Sequence, residues 1–271
     1  MGRGLAVALS RTAEVVLVGP PGAGRGATEL NSRGAVAGRC VVERLESSDS
    51  PECDWALLAL KAFDIPAAVP HCAGAGRILC LSNGIGFENE LPAPERSRLE
   101  YAPLTYGFRL LDDLSVESTP GIVFLAESSP LLETLISSGL RVEEVKNLPA
   151  VRWGKWVVNS AINPLGALTG LSNNGLVPAG LGPLLKVLRG ELLQAVPAEL
   201  RAETANFAQS MISGLLADSS NRCSMLQDLE RGRRTEIAYL TGICEKRLPG
   251  RCPAAFALYS LISALEAHQS S

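Results

Sequence analysis

One lysine and a row of amides stand out in the second half of the chain. In KWVVNSAINPLGALTG, Lys155, Asn159 and Asn163 fall at i, i+4 and i+8, which sets them on a single helical stripe. Trp156, Val157, Val158 and Ile162 fill the other faces. A stripe of amides beside an amine, flanked by core residues, suits the gripping of a small polar molecule. A second polar stretch, NRCSMLQDLERGRRTEIAYLTG from Asn221, adds Ser224 and Glu236. Each residue also has a plainer reading. Lys155 could snorkel at a helix end, and Ser224 and Glu236 could serve only as helix caps. The asparagines are harder to dismiss, because two of them on a mostly apolar helix lower its propensity and need partners if buried. A polar cleft is the expectation.

The elements that must position these residues can be read from periodicity. Pro164 follows Asn163, so the helix carrying Lys155 is expected to end or kink there. Ser224 and Gln227 have capping-box spacing and predict a helix from Met225. Gly232 permits a break, after which Thr235 can cap the next helix with Glu236 in its first turn.

In the first half, a helix over residues 4–10 leads to the strand EVVLVG, ending at Gly19. The strand WALLAL runs into Lys61 and a helix near residues 62–69, and RILCLSNG forms the next strand, ending at Asn83-Gly84. This alternation predicts a parallel sheet with helices on both faces. Lys61 and Asn83 then stand at carboxyl ends of strands, the edge where open α/β sheets bind ligands. Their plainer readings are a solvated strand end and an ordinary turn. Shorter β pieces span 99–127, followed by a helix through PLLETLISSGL and a last strand RVEEV. From Trp153 onward the spacing is helical throughout. The expectation is an α/β fold: a Rossmann-like parallel sheet over residues 1–147, an all-helical domain over 148–271, and a functional cleft where the two face each other.

Composition narrows the function classes. A chain of 271 residues that is 46% hydrophobic can bury the cores of two modest domains. With 25 basic and 28 acidic residues, its net charge of -3 gives no electrostatic reason to expect nucleic acid or an anionic membrane. The apolar runs are shorter than a bilayer span, and no signal peptide is visible. The seven cysteines contain no C-x-x-C pair, and His71 and His268 are the two histidines, so no metal site is expected. Reduced thiols in the cytoplasm are the simplest reading.

Taken together these residues resemble the ketopantoate reductase family, the NADPH-dependent 2-dehydropantoate 2-reductases of pantothenate synthesis. The family pattern K-x-x-x-N-x-x-x-N-P-L is matched by Lys155, Asn159, Asn163, Pro164 and Leu165. Its S-M-x-Q-D and G-R-x-T-E-I are matched by Ser224, Met225, Gln227 and Asp228, then by Gly232, Arg233, Thr235, Glu236 and Ile237. The family's strand-end lysine corresponds to Lys61 and its N-G to Asn83-Gly84. The resemblance implies transfer of a hydride from NADPH to the C2 carbonyl carbon of an α-keto acid. By it Lys155 is the general acid, Glu236 positions the lysine or the substrate, and Asn159, Asn163, Asn174 and Ser224 meet the substrate's carboxylate and hydroxyl. The chemistry agrees, since a carbonyl receiving hydride builds negative charge that a preorganised ammonium stabilises while donating its proton. Which 2-keto acid is preferred, and the oligomeric state, are left open.

The chain departs from the family at its start. Family members open with a strand and G-x-G-x-x-G, whose glycines let the backbone approach a dinucleotide pyrophosphate. Alignment makes Gly2 the third glycine, so the sheet is expected to lack its first strand and the loop its first two glycines. Either Met1 lies inside a longer reading frame, or the protein is a degraded relative that binds cofactor poorly. At the end of EVVLVG no acid is present to prefer NAD, so NADP is expected, with Arg25 as a phosphate partner. Two rival readings stand beside the reductase. LVGPPGAGRGATEL mimics the phosphate loop of adenylate-kinase-like NTPases, although Arg25 stands where a lysine is needed and Gly26 and Ala27 where a hydroxyl should bind magnesium. The other rival is a non-catalytic module that keeps the fold for binding.

Overall fold

A computed structural model describes residues 1–269. The chain forms two compact units: Met1–Ser82 with Asn89–Leu148, and Asn83–Glu88 with the chain from Pro149 onward.

The first unit begins with helix α1 (Gly2–Leu9) and strands β1 (Val16–Gly19), β2 (Gly26–Gly34), β3 (Gly38–Glu46) and β4 (Cys53–Leu58). Helix α2 (Ile65–Ala68), extended by 3₁₀ turns on either side, precedes β5 (Ala75–Cys80). Then come α3 (Ala93–Arg96), β6 (Leu99–Tyr101), β7 (Gly107–Leu110), β8 (Ser115–Thr119), β9 (Val123–Ala126), α4 (Leu132–Ser137) and β10 (Val142–Val145).

The strands form three ladders, in the orders β1-β3-β2-β8-β7, β4-β5-β6 and β10-β9. The second and third are wholly parallel. In the first, β1 with β3 and β2 with β8 run parallel, whereas β2 with β3 and β7 with β8 are antiparallel. The expected parallel pairing is present, with antiparallel pairs added to it. The three residues Ala35, Val36 and Ala37 join β2 to β3, and so short a connection can only turn the chain back on itself. Gly34 at this turn has φ +85, and a Cβ there would lie 2.1 Å from the Ser118 carbonyl oxygen.

Strands β1 and β4 each end their ladders. Helix α1 packs on β2, β3 and β8, and its Leu5, Ala8 and Leu9 join Leu79, Leu81, Ala102, Val123 and Leu125 in one apolar core. Gly4 permits that approach, since a Cβ there would fall 2.4 Å from Cε1 of Phe108.

The second unit is helical: α5 (Leu148–Thr169), α6 (Gly182–Ala195), α7 (Arg201–Asp218), α8 (Ser224–Leu229), α9 (Gly242–Arg247) and α10 (Pro253–Gln269). Of the two expected outcomes at Pro164, an end is not what forms: α5 continues to Thr169 with the proline inside it. An internal proline costs about 3 kcal/mol. Five neighbours on the helix, Val157, Val158, Ala161, Ile162 and Leu165, are buried in the core, and each large apolar side chain returns about 1.5–3 kcal/mol. The same core takes Leu188 and Leu192 from α6, Leu258 and Ile262 from α10, and Ile85 from the short inserted segment. The Glu191 carboxylate caps α10, accepting from the amides of Ala254 at 3.1 Å and Ala255 at 2.9 Å. Among the described residues no helix is long and apolar enough to cross a membrane.

Candidate active site

Lys155 lies in the middle of α5, not at an end, and is only 8% exposed. A snorkelling lysine would reach solvent, so that reading is set aside. Asn163 is buried on the same stripe, and Asn159 is half-buried between them. Glu236 is 7% exposed. It precedes a 3₁₀ turn at Ile237–Tyr239 rather than sitting inside an α-helix. The Thr235 hydroxyl still accepts the Ile237 amide at 3.2 Å, as a capping residue does.

Two buried hydrogen bonds tie α5 to the second polar stretch. The indole Nε1–H of Trp156, next to Lys155, donates to the main-chain carbonyl of Tyr239 at 3.1 Å, three residues beyond Glu236. The Cys223 thiol donates to the main-chain carbonyl of Asn163 at 3.3 Å, one residue before Ser224. The lysine's neighbourhood thus meets the glutamate's, and the lower asparagine's meets the serine's.

Ser224 was expected to cap the helix from Met225. The cap is instead Cys223, whose sulfur accepts the Leu226 amide at 3.4 Å, while Ser224 is the first helical residue and is exposed. Sulfur can replace oxygen here because Cys223 has the extended backbone (φ -62, ψ 155) that a cap requires. Burial pushes the Cys223 thiol above its usual range, which keeps it a protonated donor.

Asn174 lies in a 3₁₀ turn held against the chain before α8. Its amide donates to the Ser219 carbonyl at 2.9 Å, and its side-chain Oδ1 accepts from the Ser172 hydroxyl at 2.8 Å. The loop between α8 and Glu236 is pinned by buried Asp228, whose carbonyl accepts the amides of Arg231 and Arg233 and whose carboxylate pairs with Arg233 at 3.0 Å. Periodicity alone did not single out Asp228, Trp156 or Cys223 for this work.

Asn83 leaves the first unit at the carboxyl end of β5 and begins the segment that packs with the helices. The Ile85 amide donates to the Tyr239 carbonyl at 3.2 Å, so one oxygen receives both Ile85 and Trp156.

In the first unit, Lys61 precedes the 3₁₀ turn after β4. The positive charges of Lys61 and Arg3 bear on the amine of Met1, whose pKa is lowered to about 6, first by burial and then by these two cations. Lys61 and Arg3 thus place positive charge near the amino end of α1, which starts at Gly2, where an anion is favoured. Gly2 itself has room, with an added Cβ only in ordinary contact with Ala59 at 3.4 Å.

Arg25 is engaged elsewhere, in a two-point pair with Asp49 at 2.8 and 2.9 Å and a contact with Glu46 at 3.4 Å. A 2′-phosphate would have to displace Asp49 to reach it. The adenylate-kinase-like reading is overturned at the same place, because Gly26–Gly34 is a strand where a phosphate loop must run into a helix.

The family model described as "Ketopantoate reductase PanE/ApbA C terminal" matches residues 147–266. A 2-dehydropantoate 2-reductase of Archaeoglobus fulgidus is 30% identical over 218 residues, covering 74% of this chain and 71% of the relative. This chain belongs to the ketopantoate reductase family. Another such reductase, from Yersinia pestis, is 29% identical over 78% of this chain and 73% of its own length. The fold agrees with solved ketopantoate reductases and related dehydrogenases. The enzyme of Ralstonia eutropha JMP134, a PanE/ApbA family ketopantoate reductase, superposes with a TM-score of 0.73 at 22% identity over 99% of this chain and 95% of its own. A D-mandelate dehydrogenase solved with NADH and anilino(oxo)acetate gives 0.80 at 19% identity, over 99% and 95%. Ketopantoate reductases and these dehydrogenases are keto acid reductases, and the Rossmann-type sheet followed by helices is their shared architecture.

Proposed function

We propose that this protein reduces the C2 carbonyl of 2-dehydropantoate to the alcohol of pantoate, with NADPH as its partner. The observation that carries the reading is the burial of Lys155 in mid-helix, with its neighbour Trp156 bonded to the chain beside Glu236. NADPH, when bound, supplies the hydride to C2. Lys155 Nζ donates its proton to the carbonyl oxygen as charge develops there, and Glu236 orients the ammonium or the substrate. Asn159, Asn163, Asn174 and Ser224 bind the carboxylate and hydroxyl of the keto acid. Lys61, with the amino end of α1 at Gly2, holds the diphosphate. Asn83 follows on the strand-end side, and Arg25 serves a 2′-phosphate if Asp49 yields. We place the reaction in the cytoplasm, on the reading that its seven cysteines, all free here, stay reduced.

The test is loss of NADPH absorbance on adding 2-dehydropantoate. Lys155→Ala should lower kcat by about a hundredfold or more, with folding intact by circular dichroism. Turnover at the parental rate in Lys155→Ala, or none in the parent despite NADPH binding, sinks the proposal. The second outcome would favour a non-catalytic module.

A further inference from the structure

The segment Asn83–Glu88 follows a strand of the first unit yet groups with the helices of the second. Its far end carries an ion pair that the reaction outlined above does not use. Glu88 Oε1 meets Arg152 Nη2, with the two side chains only 16% and 18% exposed. The Arg152 guanidinium also lies over the Phe87 ring at 5.7 Å, and Phe87 is fully buried. Arg152 precedes Lys155 by three residues on α5, so the two share a face about 4.5 Å apart along the axis.

We infer that Glu88 and Arg152 are positioning residues, a clasp that fixes the Glu88 end of this segment against the part of α5 carrying Lys155 and so limits the travel of Asn83 at its other end. The inference rests on the reading of Lys155 as proton donor and Asn83 as a cofactor contact. Proton and hydride must reach one carbonyl group together, and misplacement by about 1 Å can cost a hundredfold in rate. The Ile85 amide also bonds the Tyr239 carbonyl, and Gly86 comes close to Ile243. Both lie nearer Asn83, whereas the ion pair, beside the buried Phe87, holds the Glu88 end. A guanidinium suits the task because its planar fork grips a carboxylate while its face covers an aromatic ring. An ammonium would keep the charge and lose the plane.

The test compares Glu88→Gln, Arg152→Gln, Arg152→Lys and the reversed pair E88R/R152E in the full chain, with NADPH and 2-dehydropantoate. The expected result is a fall in kcat of about tenfold or more in either glutamine variant, with KM for the keto acid within about twofold. The deuterium isotope effect with NADPH labelled at the transferred position should rise, because hydride transfer becomes limiting. Arg152→Lys should fall between parent and Arg152→Gln, and the reversed pair should recover at least threefold over the worse single variant. Should Arg152→Gln fail to fold, Arg152→Lys and Glu88→Gln still decide the matter. Folded variants with parental kcat and isotope effect overturn the inference, as does a loss confined to thermal stability. If Lys155→Ala is inactive while Glu88→Gln is unimpaired, only the clasp fails. If Lys155→Ala is fully active, the underlying reading fails.

Discussion

The indole N–H of Trp156 and the amide of Ile85 share one acceptor, the main-chain oxygen of Tyr239, at 3.1 and 3.2 Å. A carbonyl has two lone pairs, and both are used at this buried position. Trp156→Phe removes one donor and retains most of the packing. It should cost about 1–3 kcal/mol in urea unfolding, and it should lower kcat by loosening the chain beside Lys155. An unchanged unfolding midpoint would show that the bond does not hold this junction.

Gly86 has φ +90, and a Cβ on it would stand 2.7 Å from Cδ1 of Ile243. Gly86→Ala combines left-handed strain of about 1–2 kcal/mol with a clash against α9. The expected outcome is a lower melting temperature together with reduced turnover. Pairing it with Ile243→Val should recover part of the loss. If the double variant is no better than Gly86→Ala, the strain lies in the backbone alone.

Capping and binding are separable at two adjacent residues. Cys223→Ala removes the sulfur that accepts the Leu226 amide and donates to the Asn163 carbonyl, and should cost about 1 kcal/mol. Ser224→Ala, at an exposed first helical position, should change stability by no more than about 0.5 kcal/mol while raising KM for the keto acid. Denaturation and steady-state kinetics on the two variants suffice. The opposite pattern would return the cap to Ser224.

Cys244 sets a pH dependence. Burial first, then the charge and hydrogen bond of Cys252 and the charge of Glu191, push its thiol far above the ordinary range. The unfolded thiol ionises near about pH 8.5, so above that pH the native chain binds the extra proton. Stability should therefore be unaffected below about pH 8 and fall as pH rises, by at most about 1.4 kcal/mol per unit for this group. Urea unfolding from pH 7 to 10 should show a shallower decline in Cys244→Ala. Equal slopes would mean the thiol does not carry the effect.

Strands at residues 16–19, 53–58 and 75–80 and the helical second half were readable because each carries an apolar run or period of its own in the sequence. The hairpin of β2 and β3 was not, since GATELNSRG carries polar residues at most positions and its burial comes from α1 above it. That α5 runs on past Pro164 was not readable either: the rule against internal proline is local, and the core around Ile162 and Leu165 outweighs it. The stripe Lys155-Asn159-Asn163 was legible as a candidate because amides and an amine stand out among apolar neighbours. Its supports were not. Trp156 reads as core, nothing local singles out Cys223 or Glu88, and each meets a partner 60 or more residues away in sequence.

The loan of residues 83–88 to the helical unit has a practical effect on dissection. A fragment cut at Leu148 would arrive without Ile85 to fill its interior, without Phe87 beneath Arg152, and with a vacant lone pair on Tyr239. Modularity in space does not coincide with modularity along the gene, and the two halves should be recombined or swapped among relatives only if this six-residue stretch travels with the helices.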